Sequence, residues 1–129
     1  MTAEQTSPEQ YASVRYLVDD VQAAVDFYTT HFGFQVRMNF PGFADVVRGP
    51  LRLLLSGPGS SGTLATPPEF AEPGRNRIHF AVDDLDAEMD RFKNAGLTFR
   101  SGPVSGPGGR QFLLADPAGN LIEIFQPAG

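Results

Sequence analysis

The sequence contains no cysteine among its 129 residues. This absence excludes disulfides, cysteine-based zinc sites and thiol nucleophiles, and it fits a reducing compartment. Basic residues are also scarce, with 10 Lys and Arg against 15 Asp and Glu, so the formal net charge is −5. Because an acidic surface repels phosphate backbones, we expect no nucleic-acid partner.

Long apolar runs and low-complexity blocks are absent as well. No apolar run approaches the roughly 18 residues of a membrane span, and the first residues lack the basic and apolar features of a secretory signal. Hydrophobic residues make up 41% of the chain, which is enough for one packed core and argues against disorder. We therefore expect a cytoplasmic protein without a membrane partner.

The main feature of the sequence is an internal repeat. Residues 16–26 and 80–90 each consist of a short apolar strand, two aspartates and an amphipathic helix, with Val82 standing 64 positions after Val18. A glycine, Gly33 or Gly96, follows each helical pattern where a left-handed residue ends a helix. We interpret the paired aspartates as helix N-caps rather than catalytic groups; they are Asp19, Asp20, Asp83 and Asp84.

Three strand-like runs follow each helix, at 34–39, 43–48 and 51–56 and again at 97–100, 110–115 and 121–126. The order β-α-β-β-β thus occurs twice, which predicts an α+β fold. We predict a flexible N-terminus over 1–11 and a single domain over 12–127. That domain comprises module one at 12–56, a crossing linker at 57–76 and module two at 77–127. The Gly- and Ser-rich segment 101–109 is either a lid over a site or a solvated loop.

The sequence resembles the vicinal oxygen chelate superfamily, which includes glyoxalase I, extradiol dioxygenases and bleomycin-resistance proteins. The resemblance rests on the opening from Val18 to Tyr28 and on the closing motif 116–123, Asp-Pro-Ala-Gly-Asn-Leu-Ile-Glu. It implies two modules that form a curved, partly closed mixed sheet around a cavity, with the helices outside. It also implies a homodimer.

The resemblance further places the positions at which enzymes of this superfamily hold a divalent cation. They fall on Ser13, Arg77 and Glu123, and on Leu54 or, if the register slips, Leu53. Among these only Glu123 is a metal-ligand type, because a guanidinium has no lone pair to donate. We therefore predict no metal and no cofactor, with an Arg77–Glu123 ion pair, in bidentate form, in their place. If that pair is buried, removing Arg77 should cost about 3 kcal/mol or more.

Alternate residues of a strand share a face, so the same reasoning predicts the lining of the cavity. The predicted lining residues are Ser13, Arg15, Arg52, Leu54, Arg77, His79 and Glu123, completed by either Gln111 and Leu113 or Phe112 and Leu114. Arginines in excess over carboxylates favour a small anionic or aromatic ligand. Phe40, Phe43 and Phe112 are either stacking surfaces for it or ordinary core.

Two of these residues have a second interpretation. Arg52 is either part of the lining or extends to solvent at a strand edge. His79 is either an acid–base group or a core histidine with a satisfied hydrogen bond.

Two classes of function follow from this lining. The first is a binding protein of the bleomycin-resistance type that holds a small anionic or aromatic molecule without a metal. The second is a metal-independent isomerase or lyase in which His79 and Glu123 move a proton and arginines stabilise an enolate-like charge. A metal-dependent glyoxalase or dioxygenase ranks third, since it needs ligands that the sequence does not present.

Overall fold

The computed structural model describes residues 11–129, so the predicted N-terminal segment 1–11 lies outside the described residues apart from Tyr11. Within the described residues, eight strands and two long helices occur in the predicted order, with the β-α-β-β-β unit present twice. The chain divides after Gly74 into two compact units, and each contains one such module. Within residues 11–129, no helix combines the length and apolar character that a membrane crossing requires.

The first unit is a four-stranded mixed sheet covered by a helix. Its elements are β1 (Ala12–Leu17), α1 (Val21–His31), β2 (Gln35–Phe40), β3 (Phe43–Arg48), β4 (Leu51–Ser56) and a short α2 (Ser61–Leu64). The strand order is β1-β4-β3-β2, with β1 parallel to β4 and the other pairs antiparallel. The apolar stripe of α1 packs on the sheet and is buried; it comprises Val21, Val25 and Tyr28, and Phe32 directly after the helix is buried as well.

The second unit repeats this arrangement. Its elements are β5 (Arg77–Ala81), α3 (Leu85–Asn94), β6 (Thr98–Gly106), β7 (Gly109–Ala115) and β8 (Leu121–Pro127). The strand order is β5-β8-β7-β6, again with only the first pair parallel among the described strands. The turn before β8 is closed by Asp116, whose Oδ1 accepts hydrogen bonds from the backbone N–H groups of Ala118 and Asn120 at 2.9 and 2.8 Å.

Helix boundaries follow the predicted capping residues. Asp20 caps α1 by accepting a hydrogen bond from the Ala23 N–H at 3.0 Å, and Asp84 caps α3 through the equivalent bond to Ala87. Gly33 has a φ of 70°, and Gly96 has a φ of 78°. Both values lie in the left-handed region that glycine enters without a steric cost. The interpretation of the aspartates as caps is therefore confirmed for the second residue of each pair.

The crossing linker predicted at 57–76 contains α2 and a 3₁₀ turn at Pro68–Phe70. Another segment differs from the sequence prediction. The segment 101–109 is not a lid or loop, because β6 runs on to Gly106 and pairs with β7. β6 is an edge strand with register shifts at Phe99/Ser101 and Ser101/Val104, and such a strand accepts Pro103 without the loss of an inner ladder bond.

Candidate functional site

The sheet face opposite α1 carries the polar side chains of the first unit. β1 and β4 pair in parallel, with Ser13 beside Arg52 and Arg15 beside Leu54. Because alternate residues face the same way, all four share one face of the sheet. Leu53 lies on the opposite face and is completely buried in the core. The register therefore puts Leu54, and not Leu53, at the cation position that the resemblance implies.

Arg52 lies over this face rather than extending into solvent. Its Nε donates a hydrogen bond to Ser13 Oγ at 3.0 Å, and its Nη1 is 3.6 Å from Asp45 Oδ2. Its guanidinium carbon is 5.5 Å from the centre of the Tyr11 ring, and Arg37 lies 5.2 Å from the same centre. With 23% of its side chain exposed, Arg52 does not fit the strand-edge interpretation.

Asp45 is a residue of this face that the sequence prediction missed. It pairs with Leu54 across β3 and β4, and its side chain is completely buried. Neither carboxylate oxygen has a hydrogen-bond partner among residues 11–129. Burial raises the pKa of Asp45 above its ordinary value, and the nearby charges of Arg52 and Arg37 offset this only in part. One signal was available in the sequence: a single carboxylate inside the apolar run at 43–47.

A pocket of about 500 Å³ opens on the first unit. Its lining combines aromatic rings, hydroxyls, glycines and one guanidinium, contributed by Arg15, Phe40, Gly42, Phe43, Ser60, Ser61 and Gly62. Arg15 Nη1 donates a hydrogen bond to Ser56 Oγ at 2.8 Å. The aromatic residues predicted at 40 and 43 thus line the same pocket as Arg15. The contribution of residues 60–62 was missed because the linker has no periodic pattern.

In the second unit, Arg77 and Glu123 form the predicted ion pair. Arg77 Nε and Nη2 both donate to Glu123 Oε1, at 3.1 and 2.9 Å. The pair is therefore not bidentate in the predicted sense, because a single oxygen accepts both bonds. Glu123 Oε2 instead faces His79 Nε2 at 3.8 Å.

The cluster of Arg77, His79 and Glu123 is more exposed to solvent than the sequence prediction assumed. The side chains of Arg77 and His79 are 48% and 51% exposed, while that of Glu123 is 16% exposed. His79 is therefore not a core histidine. It pairs with Glu123 across β5 and β8 and packs against the Phe125 ring at 5.2 Å. A half-exposed guanidinium is screened by water, so the ion pair contributes less to stability than a buried pair would.

The direction of the β7 side chains is settled by its pairing with β8. Leu113 lies beside Glu123 and Phe112 beside Ile124, so Gln111 and Leu113 share the face of Glu123. Phe112 is completely buried and stacks on Phe99 with ring centres 5.4 Å apart. Its assignment as a ligand-binding residue is wrong, because its ring belongs to the core between the sheet and α3.

These side chains do not fit a divalent cation. Arg77 stands at one of the cation positions implied by the resemblance, and its guanidinium donates two hydrogen bonds to Glu123 Oε1, an oxygen that a metal would need. Ser13 stands at another, and its hydroxyl accepts a hydrogen bond from Arg52. Among residues 11–129, no three His, Asp or Glu side chains gather into a group that could hold a metal ion.

Comparison with known proteins agrees with this architecture. Residues 10–124 match the profile of the Glyoxalase/Bleomycin resistance protein/Dioxygenase superfamily. The chain belongs to this superfamily. The resemblance recognised from the repeat and the closing motif is thereby confirmed, as is the α+β fold of tandem modules. Membership in the superfamily includes both enzymes and binding proteins, so it does not by itself choose between the two classes of function.

The proteins that this chain resembles have names that state different functions. A putative glyoxylase, CFP32, from Mycobacterium bovis and from Mycobacterium tuberculosis is 33% identical over 78 residues. That match covers 60% of this chain and 30% of the relative, so the relative is much longer than the matched part.

Two solved structures cover nearly the whole chain. TnmS3, an antibiotic binding protein from Streptomyces sp. CB03234, is 27% identical with a TM-score of 0.70, covering 96% of this chain and 100% of its own. Lactoylglutathione lyase from Agrobacterium tumefaciens is 25% identical with a TM-score of 0.72, covering 94% and 96%.

Proposed function

We propose that this protein binds a small, anionic, aromatic molecule in the pocket of the first unit, without a metal. The observation that carries the proposal is the position of Arg15 beside Phe40 and Phe43 in a pocket of about 500 Å³. Pockets of this size enclose drug-sized ligands and are typically apolar with a few polar groups. The aromatic rings offer stacking surface, and the guanidinium offers donors for a carboxylate or a phosphate.

The charge distribution supports an anionic ligand. The whole chain has a formal net charge of −5, yet among the described residues that line the pocket the charged one is Arg15. A cationic group in an otherwise acidic protein attracts anions locally and discriminates against neutral isosteres. The structural neighbour TnmS3 is described as an antibiotic binding protein, which favours binding over catalysis for this chain.

The experiment compares two flat probes that differ in charge, 2-naphthoate and its neutral amide 2-naphthamide. Isothermal titration should show that the wild-type protein binds the carboxylate at least tenfold more tightly, because one charge-assisted hydrogen bond contributes about 1.5–3 kcal/mol. Arg15→Ala should abolish this preference. Arg48→Ala, which removes an exposed arginine of the same unit, serves as the control and should leave it intact.

The metal dependence is tested by the same titration. Binding should be unchanged after dialysis against EDTA, since no step of the proposed recognition uses a cation. Equal affinity for the two probes, or loss of binding in EDTA, would contradict the proposal.

A second candidate function is a metal-independent isomerase or lyase in the second unit. Its support is the position of Glu123, whose Oε1 is held by Arg77 while Oε2 faces His79 at 3.8 Å. An oriented carboxylate beside an imidazole can remove a proton next to a carbonyl and return it elsewhere, and Arg77 can stabilise the enolate charge. The lactoylglutathione lyase neighbour favours this class of reaction.

The second candidate is tested with S-lactoylglutathione as the probe, in the presence of EDTA. Turnover should then fall at least about a hundredfold in His79→Ala and in Glu123→Gln, as expected for loss of an acid–base group. Activity that requires added metal, or no activity at all, would remove this candidate and leave the binding function in place.

We also propose that the protein is a cytoplasmic homodimer. β2 is an edge strand with exposed apolar residues, since Val36, Met38 and Phe40 are 45%, 45% and 56% exposed. Exposed apolar side chains on a sheet edge favour association with a second copy. Light scattering after gel filtration should give twice the 13.9 kDa chain mass, and cell fractionation should place the protein with cytoplasmic markers.

A further inference from the structure

The side chain of Arg15 occupies the space next to Gly62 in α2. A carbon added at the Cβ position would overlap Arg15 Nη1 and would lie 2.9 Å from Arg15 Cζ and 3.0 Å from its Cδ. Favourable contacts between such atoms begin at about 3.5 Å. The guanidinium of Arg15 therefore packs directly against the helix backbone, and it can do so because residue 62 is glycine.

The same guanidinium is also hydrogen-bonded to Ser56. This serine is completely buried at the end of β4, and its Oγ accepts a hydrogen bond from Arg15 Nη1 at 2.8 Å. The side chain of Arg15 is thus held by a buried hydroxyl and by contact with the backbone of α2. A long arginine side chain loses much rotamer freedom when it is held in this way, and a guanidinium already in place binds an anion at a lower entropic cost.

Hydrogen bonds hold the turn that contains Gly62 in place. Ser60 Oγ and Thr63 Oγ1 both donate hydrogen bonds to the Gly57 carbonyl oxygen, at 2.7 and 2.8 Å. Gly57 N donates to the Gly42 carbonyl oxygen at 2.9 Å. Because several hydrogen bonds hold α2, a side chain at position 62 would displace the guanidinium rather than the helix.

We propose that Gly62 and Ser56 are positioning residues that aim Arg15 into the pocket and thereby select carboxylate-bearing aromatic ligands over neutral ones. This inference rests on the proposed binding function and deepens it. Gly62 can contact a ligand only through its backbone. It affects anion selectivity through the position of Arg15.

The test titrates 2-naphthoate and 2-naphthamide into Gly62→Ala and Ser56→Ala. Gly62→Ala should weaken naphthoate binding about tenfold, as loss of one charge-assisted hydrogen bond does, while naphthamide binding stays within about twofold. Ser56→Ala should act in the same direction. Gly102→Ala is the matched control, because a Cβ there meets nothing within 4 Å, and it should change neither affinity.

A double-mutant cycle separates positioning from a simple steric effect. In the Arg15→Ala background, Gly62→Ala should have no further effect on naphthoate, because the two changes act through the same guanidinium. If Gly62→Ala weakens both probes equally, or weakens naphthoate further in the Arg15→Ala background, the positioning role is refuted. Melting temperatures of all variants show whether each is folded.

The two proposals fail in different ways. If the binding function is wrong, the wild-type protein itself shows no preference for naphthoate. If only the positioning role is wrong, the wild-type protein prefers naphthoate, Arg15→Ala loses the preference, and Gly62→Ala keeps it.

Discussion

Replacing Asp45 by Asn should stabilise the protein at neutral pH. The wild-type carboxylate is completely buried, and neither of its oxygens accepts a hydrogen bond from residues 11–129. Arg52 Nη1 lies 3.6 Å away, which is close enough for attraction but too far for a hydrogen bond. Burial raises the pKa of Asp45 more than Arg52 and Arg37 lower it, so the charged form is on balance disfavoured in the folded state.

Burying a polar group without a hydrogen-bond partner costs about 1–3 kcal/mol of unfolding free energy. The buried amide of Asn still carries part of this cost, and it lacks the charge that attracts Arg52. The expected net gain is therefore about 1 kcal/mol, or about 4 °C in melting temperature for a chain of this size.

The sign of the pH dependence is determined by the raised pKa. Because the pKa of Asp45 is higher in the folded than in the unfolded state, its contribution to stability is fully present below the unfolded value. It is lost as pH rises through the folded value. Asn has no such transition, so the stability difference between variant and wild type should be largest near neutral pH and should shrink as the solution is acidified towards the ordinary aspartate pKa of 3.8.

Urea unfolding at a series of pH values measures this difference. Asp19→Asn, which removes an exposed aspartate of the same unit, is the control and should show little change at any pH. A variant less stable than wild type at neutral pH would show that Arg52 outweighs burial. A gain that does not change with pH would show that the charge of Asp45 is not its cause. Either result would refute the reasoning.

Three further changes test the fold and the second cluster by urea unfolding. Arg77→Ala should cost about 1 kcal/mol, because the guanidinium that pairs with Glu123 is half exposed and screened; a loss of 3 kcal/mol would instead indicate the buried pair expected from the sequence. Phe112→Ala should cost about 3–5 kcal/mol, since its ring is completely buried, and a loss below 1 kcal/mol would argue against a core role. Asp84→Ala should cost about 1 kcal/mol through loss of the α3 cap, whereas its neighbour Asp83 should tolerate the same change.

The sequence predicted which residues of β1 and β4 share a face. Alternation within a strand is a local property, so Ser13 with Arg15 and Arg52 with Leu54 follow from spacing alone. Asp45 was not predicted as a site residue, because its importance depends on burial and on the cross-strand neighbour Arg52. Gly62 was not predicted either, because a linker without periodicity gives no indication of which strand it covers.

The sequence by itself determined the tandem β-α-β-β-β order and the aspartate caps and glycine stops of the helices, because these features depend on local periodicity and on capping chemistry. The ion pair of Arg77 with Glu123 was predicted through the family resemblance, which places the two residues at positions that converge on one site. Only the tertiary structure decided that Phe112 faces the core, that one oxygen of Glu123 accepts both bonds, and that Arg15 lies against α2. Those outcomes depend on strand register and on close packing between segments distant in sequence, neither of which is encoded by any single stretch of the chain.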